Sequence, residues 1–106
     1  MTTPASSAKA PAIPLNQLVT ALSDKTRWRI FAELLKSEAL PVVELSRRLG
    51  VPATNISKHV TLLRNFKLLD RGYGNLYRIP AHFLVPGENA VDFGQAVLRL
   101  DRVDQK

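Results

Sequence analysis

Cysteine is absent from this 106-residue sequence, which excludes disulfide bonds and every metal site built on thiolates. Only two histidines occur, His59 and His82, whereas a tetrahedral metal site needs about four ligands. The sequence also shows no catalytic constellation. It has no Gly-rich phosphate loop, no paired carboxylates with an identifiable partner residue, and no nucleophile with an adjacent base. The sequence therefore predicts a protein that is not an enzyme and that holds no metal or other cofactor.

Long apolar runs are missing as well. No stretch approaches the ~20 apolar residues of a membrane span, and the first residues lack the apolar core of a signal peptide. We therefore expect a cytoplasmic protein with no membrane partner. A chain of 106 residues has room for one domain with a small core, so pairing with a second copy would bury more apolar surface.

Acidic residues are scarce: nine Asp and Glu stand against fifteen Lys and Arg, for a net charge of +6. The excess concentrates in residues 41–69, where Glu44 is the only acid and the basic residues are Arg47, Arg48, Lys58, Arg64 and Lys67. A clustered basic patch favours a polyanion such as nucleic acid, although a solvated surface explains the charge equally well.

Within this basic region, residues 41–66 have the pattern of two short helices joined by a tight turn. Pro41 suits the start of the first helix, and the apolar residues behind it share one face: Val42, Leu45 and Leu49. Gly50 should end that helix, because glycine accepts a left-handed conformation without steric cost. Val51 would then fill the angle between the helices. The spacing predicts a helix-turn-helix.

The second of these helices separates apolar from polar residues. Its apolar face, at about 3.6 residues per turn, holds Ala53, Ile56, Val60 and Leu63. Asn can read a base edge, Lys and Arg neutralise phosphates, and Ser or Thr can do either. The candidate DNA contacts on this helix are Thr54, Asn55, Ser57, Lys58, His59, Thr61 and Arg64. His59 could equally pack between helices, and Arg47 and Arg48 are further candidates for phosphate contacts.

A glycine-rich stretch follows at residues 70–75, between β-prone segments at residues 68–69 and 76–79. This arrangement predicts a β-hairpin. The candidates for contacts with the DNA backbone or minor groove are Arg71, Tyr73 and Arg78. Tyr73 could equally pack on the domain.

Two more helices are expected before the helix-turn-helix, after a disordered tail at residues 1–13 that is rich in Pro, Ala, Ser and Thr. The first should begin near Pro14, with an apolar stripe of Leu15, Leu18, Val19 and Leu22. The second follows a cap at Ser23 and Asp24, and its apolar residues are Trp28, Ile30, Phe31, Leu34 and Leu35. We expect Trp28 in the core. Arg27 should either contact a phosphate or brace the helix-turn-helix.

The C-terminal part has the least regular pattern. Residues 80–87 are expected to be a connector, whereas residues 89–101 fit two structures. Val91, Phe93 and Val97 alternate as in a strand, but Phe93, Val97 and Leu100 also fit a helix. We favour a strand, and we expect residues 81–106 to form a connector followed by a dimerisation or docking segment.

Four segments resemble the ArsR-type winged-helix repressors and occur in the order seen there: SDKTRWRI, VVELSRRLGV, ATNISKHVTLLR and YGNLYRI. The resemblance covers residues 15–79. It implies a mainly α fold with a small β-hairpin, the winged helix-turn-helix, with the DNA-binding domain in residues 14–80. It also implies a homodimer, for which the candidate interface residues are Leu15, Leu18, Val19, Leu22, Phe93 and Val97.

Some positions depart from that family. Its metal-sensing members carry a Cys-x-Cys pair where this chain has Pro41 and Val43, and the C-terminal segment offers no Asp and His pair for the family's other metal site. We therefore expect no metal sensing at these site types, and the sequence names no other effector ligand. Lys67 replaces a usual glycine, so we expect a differently built turn. Ala53 replaces a frequent glutamine, so we expect a different DNA sequence to be read.

The favoured hypothesis is a homodimeric transcriptional regulator, a repressor, that binds double-stranded DNA at an inverted repeat. Two reading helices would enter successive major grooves about 34 Å apart. The alternative is a winged-helix protein-interaction module that does not read DNA, with the C-terminal segment as a docking strand. The basic bias of residues 41–69 favours DNA binding, because a protein-docking face need not be so basic.

Overall fold

The computed structural model describes residues 13–99, which form four α-helices and five short β-strands. The helices are α1 (Leu15–Ala21), α2 (Lys25–Ser37), α3 (Val42–Leu49) and α4 (Ala53–Asn65). The strands are β1 (Ala39–Leu40), β2 (Asp70–Arg71), β3 (Tyr77–Arg78), β4 (Ala90–Asp92) and β5 (Val97–Arg99). The expected mainly α fold with a small β-hairpin, a winged helix-turn-helix, is confirmed.

Local hydrogen bonds explain where α2 begins and where α3 ends. Asp24 caps α2, because its carboxylate accepts the backbone N–H of Thr26 at 2.7 Å. Gly50 ends α3 with φ 67° and ψ 31°, and its N–H donates to the Ser46 carbonyl at 2.9 Å. Pro41 is the residue before α3 rather than its first residue.

The turn after α4 corrects one expectation. The N–H of Lys67 donates to the Arg64 carbonyl at 2.9 Å, and the N–H of Leu68 donates to the Leu63 carbonyl at 2.8 Å, which is the Schellman pattern. Lys67 has a φ of 67°, in the left-handed region that favours glycine. The expectation of a differently built turn is therefore wrong, because Lys67 adopts the left-handed conformation that glycine would adopt. Leu63 and Leu68, which the second of these hydrogen bonds joins, are both buried in the core.

The sheet beside α4 has three strands instead of the two of the expected hairpin. Antiparallel β3 lies in the middle, with β1 on one side and β2 on the other. Tyr77 pairs with Leu40 across one ladder and with Arg71 across the other. The strand expected at residues 68–69 begins at residue 70 instead, because the N–H of Leu68 is still used by the turn that ends α4. The sequence does not predict β1, since two residues carry no alternation to detect.

One apolar core joins the helices and the sheet. Its helical members include Leu18, Ile30, Phe31, Leu34, Leu45, Leu49, Ile56, Val60 and Leu63. Trp28 was expected there, and that expectation is wrong. Its ring lies at the surface, and the indole N–H donates to the Leu22 carbonyl at 2.6 Å. Trp28 therefore ties the end of α1 to α2 instead of filling the core.

Residues 81–99 pack onto the same core. Strands β4 and β5 form an antiparallel hairpin with Val91 opposite Leu98. The favoured strand is confirmed within the described residues, but as two strands, because Gly94, with φ 92°, turns the chain between them. The Phe93 ring meets Phe31 and Phe83 edge-on, with ring centroids 5.6 and 5.2 Å away. The core therefore extends past the expected domain limit at residue 80.

The chain start agrees with the expected helix near Pro14, because α1 begins at Leu15. Of the expected tail, residues 1–12 lie outside the described residues, as do residues 100–106 at the other end. Ile13 does not belong to a disordered tail, since its side chain is buried in the core.

Candidate nucleic-acid interface

Helix α4 buries one side and exposes the other. Ile56, Val60 and Leu63 are fully buried. The exposed residues of the helix include Thr54, Asn55, Ser57, Lys58, Thr61 and Arg64. Ala53 is exposed too, so the buried stripe begins one position later than the spacing predicted. The structure thus brings the predicted DNA contacts of α4 to its solvent-facing side, with His59 half-buried at the edge.

Besides the bond from the Gly50 N–H, three further hydrogen bonds hold the turn between α3 and α4. The hydroxyl of Ser46 donates to the Val51 carbonyl at 2.6 Å, and the N–H of Val51 donates to the Ser46 carbonyl at 3.3 Å. Arg29, on α2, donates from Nη2 to the Leu49 carbonyl at 3.0 Å. These bonds hold the turn against α3 and α2 through the protein's own groups.

Arg27 connects three helices through one guanidinium. Its Nη1 donates to the carbonyls of Thr20 and Ala21, at 2.8 and 3.4 Å, where α1 ends. Such a position suits a cation, because the C-terminal end of a helix is negative. Its Nε donates to Nδ1 of His59 on α4 at 3.2 Å. Of the two roles open to Arg27, the structure therefore shows the bracing one.

Arg47 and Arg48 are paired with Glu44 on their own helix. The Nε atoms of Arg47 and Arg48 donate to the Glu44 carboxylate at 3.1 and 2.8 Å. These hydrogen bonds, from Arg47 first and then Arg48, lower the pKa of Glu44 to about 2. Arg48 also donates to the Ser37 hydroxyl at 2.7 Å. Glu44 therefore offsets part of the positive charge of α3. The sequence could have indicated this, because Arg47 and Arg48 follow Glu44 by three and four residues, the spacings at which helical side chains meet.

The predicted contacts of the β-hairpin lie at its surface. Arg71 and Arg78 are exposed on β2 and β3. Tyr73, in a 3₁₀ turn between the strands, is 99% exposed. The alternative in which Tyr73 packs on the domain is therefore wrong, and its ring is available to a partner.

A basic groove connects the end of α4 to the base of this hairpin. The open space measures about 850 Å³ and also adjoins the start of α1. Its basic lining residues are Arg64, Lys67, Arg71, Arg78 and His82, against the acid Asp70. Positive charge thus runs from the exposed side of α4 onto the hairpin, along the surface that a nucleic-acid backbone would follow.

The predicted dimer contacts divide into two groups. Leu15, Val19 and Val97 are 55%, 62% and 53% exposed, and Leu22 is half-buried, so these side chains can reach a partner. Leu18 and Phe93 are each 1% exposed, because they pack inside the core of their own chain. We correct the expectation for these two residues, which are core residues and not interface residues.

Residues 13–99 also bear on two other kinds of site, a metal centre and a membrane span. No group of three or more His, Cys, Asp and Glu side chains in that range could hold a metal ion. No helix there is long and apolar enough to cross a membrane.

Comparison with known proteins agrees with this geometry. A family model described as a helix-turn-helix domain matches residues 22–71. Seven solved chains match, among them HlyU from Vibrio cholerae, with 29% sequence identity and a TM-score of 0.54, over 73% of this chain and 80% of that one. The comparison with curated protein sequences finds no match. Together, the helix-turn-helix match and the likeness to HlyU support a DNA-binding transcriptional regulator of the winged helix-turn-helix class, which points away from an enzyme.

Proposed function

We propose that this protein is an ArsR-type repressor that binds, as a homodimer, to an inverted-repeat operator and blocks transcription by occupying it. One observation carries the proposal: α4 is fully buried along one side and presents Asn, Ser, Thr and Lys side chains along the other. A helix held in this way, with exposed side chains of these types, suits the major groove.

Each exposed group of the surface has a role in this proposal. The side chains that face the bases are Thr54, Asn55, Ser57, Lys58 and Thr61. The phosphate contacts are Arg47, Arg48, His59, Arg64 and Arg71, of which the first two would exchange Glu44 for phosphate. Tyr73 and Arg78 extend the contact along the backbone or into the minor groove beside the hairpin.

The two-fold arrangement is supported by the exposed apolar side chains of α1. Leu15 and Val19 lie one turn apart on that helix, and both are more than half exposed. Covering them with a second copy would remove apolar surface from water. A dimer would carry two α4 helices, as an inverted repeat with half-sites about 34 Å apart requires. Leu15→Asp with Val19→Asp should yield monomers in sedimentation, and a persistent dimer would exclude α1 from the interface.

Selection from random-sequence duplex DNA, followed by salt titration of the winning sequence, tests the proposal. We expect an enriched inverted repeat whose log affinity falls with log salt at a slope of about −0.9 per phosphate contacted. The proposal would be contradicted if the selection enriched no sequence and the protein bound DNA only weakly and in a salt-sensitive way. The protein-interaction module would then be the better account.

Lys58 is the variant with which to test base reading. Lys58→Ala should weaken binding to the selected sequence by about 1–3 kcal/mol if the amine reads a base, and should weaken all sequences equally if it only meets phosphate. Lys36→Ala is the matched control, because Lys36 lies in the last turn of α2 and pairs with Glu33 at 3.2 Å. Equal affinities of the two variants would remove Lys58 from the interface.

A further inference from the structure

The contact between Arg27 and His59 determines which ring nitrogen of the histidine carries the proton. A guanidinium has five N–H donors and no acceptor. His59 Nδ1 lies 3.2 Å from Arg27 Nε, so this ring nitrogen must be the acceptor and must be unprotonated. A neutral imidazole then carries its proton on Nε2. The geometry therefore selects one of the two tautomers.

The other ring nitrogen of His59 reaches solvent. Among residues 13–99, Arg27 is the only hydrogen-bond partner of the ring. In the same range, no buried side-chain nitrogen or oxygen lacks a partner. Since Nε2 has no protein partner, it cannot be one of the buried atoms. His59 is half-buried, with its Nδ1 side covered by Arg27.

His59 also lies where a reading helix meets the DNA backbone. On a helix of about 3.6 residues per turn, it is displaced by roughly 60° from the centre of the buried face of Ile56, Val60 and Leu63. That places it on the same flank as Asn55, between the core and the groove-facing residues. The flanks of a helix in the major groove run beside the sugar–phosphate strands, where donors position the protein.

Arg27 is itself held in place without any ligand. Its Nη1 bonds the Thr20 carbonyl at 2.8 Å at the end of α1, so the guanidinium plane has two fixed contacts. The planar fork of Arg suits such paired contacts, which the single ammonium of Lys does not reproduce. The orientation of the His59 ring is therefore set by α1 and α2 together.

We propose that Arg27 is a positioning residue of the DNA-binding surface: it holds His59 as the Nε2–H tautomer, so that His59 presents one fixed N–H donor to a backbone phosphate. A donor oriented in advance loses less entropy on binding than one that must be ordered. The phosphate role rests on the proposed function, whereas the tautomer does not.

The tautomer is measured first, on the protein without DNA. Long-range ¹H–¹⁵N spectra of the histidine rings, recorded across a pH series, report which nitrogen of the neutral imidazole is protonated. The sequence has only one other histidine, so His82→Gln assigns the signals. Arg27→Met removes the donors and keeps the apolar stem. Arg29→Met is the matched control, because Arg29 bonds the Leu49 carbonyl instead of His59.

We expect His59 to be the Nε2–H tautomer alone in the wild type and in Arg29→Met. In Arg27→Met, the proton should exchange between both nitrogens. A protonated Nδ1 in the wild type, or a His59 spectrum that Arg27→Met leaves unchanged, would overturn the proposal. Because Arg27 also bonds the end of α1, circular dichroism is recorded for both Met variants. His59→Phe, which keeps every hydrogen bond of Arg27 to α1, is the second test if Arg27→Met does not fold.

DNA affinity is then measured with the selected duplex. Arg27→Met and His59→Phe should each weaken binding about three- to tenfold, as expected for one hydrogen bond. The double variant should be no weaker than His59→Phe, because Arg27 acts through that ring. The phosphate role would be overturned if the affinity loss of the double variant equalled the product of the two single losses. It would also be overturned if His59→Phe bound DNA as tightly as the wild type, even where Lys58→Ala still weakens binding. A wild-type protein that binds no DNA would instead overturn the proposed function, and the phosphate role with it.

Discussion

Replacing Lys67 with glycine should make the protein more stable. Lys67 has a φ of 67° in the turn after α4, a conformation that costs a residue with a Cβ roughly 1–2 kcal/mol. Glycine removes that strain but loses about 0.4–1 kcal/mol more chain entropy on folding. The midpoints of these two ranges differ by about 0.8 kcal/mol, which is the expected gain, and for a domain of this size Tm should rise by about 3–6 °C.

Two further variants separate backbone strain from charge. Lys67→Ala removes the same ammonium and keeps the Cβ, so it should give none of this gain. Gly50→Ala tests the reverse change, because Gly50 also has a φ of 67° and an added Cβ there would meet no atom within 4 Å. Its expected loss of about 1 kcal/mol therefore comes from the left-handed backbone conformation and not from a clash with another part of the protein.

Urea unfolding, followed by circular dichroism and by the fluorescence of Trp28, measures these differences. The denaturant slope should stay the same in all variants, so that the midpoint reports stability alone. Equal stability of Lys67→Gly and Lys67→Ala would refute the reasoning, since the gain would then not come from the left-handed conformation.

Three other predictions follow from particular contacts. Phe93→Ala should cost about 3–5 kcal/mol in urea unfolding, because the ring packs against Phe31 and Phe83; a small loss would separate the C-terminal hairpin from the core. The pKa of Glu44 is lowered from 4.5 to about 2, so the stability it contributes is present above that ordinary value and disappears as the pH falls toward 2. Between these pH values the urea midpoint of the wild type should fall more steeply than that of Glu44→Gln, and equal slopes would contradict this. Tyr73→Ala should leave stability unchanged, because the ring is 99% exposed, but weaken DNA binding; unchanged affinity would exclude the hairpin tip from the interface.

The helix-turn-helix is the part of the fold that the sequence predicts best. The apolar spacing from Val42 to Leu63 and the glycine between the helices depend only on neighbours within a few residues. The exposed residues of α4 can be predicted for the same reason, because helix geometry places them opposite the apolar stripe. The α1 stripe shows the limit of this reasoning. Leu15, Leu18 and Val19 share it, yet of these three only Leu18 is buried, because the packing of the whole chain decides how much of the stripe is covered.

The sequence by itself determined the local structure: which residues form helices, which side of α4 is polar, and where positive charge collects. The tertiary structure alone decided the contacts between distant residues. Strand β1 exists because β3 pairs with it across the sheet, and the Arg27–His59 bond joins residues 32 positions apart. Periodicity shows which side chains share a face, since that depends on backbone geometry within one element. What covers that face depends on how the elements pack, and packing is a property of the whole chain.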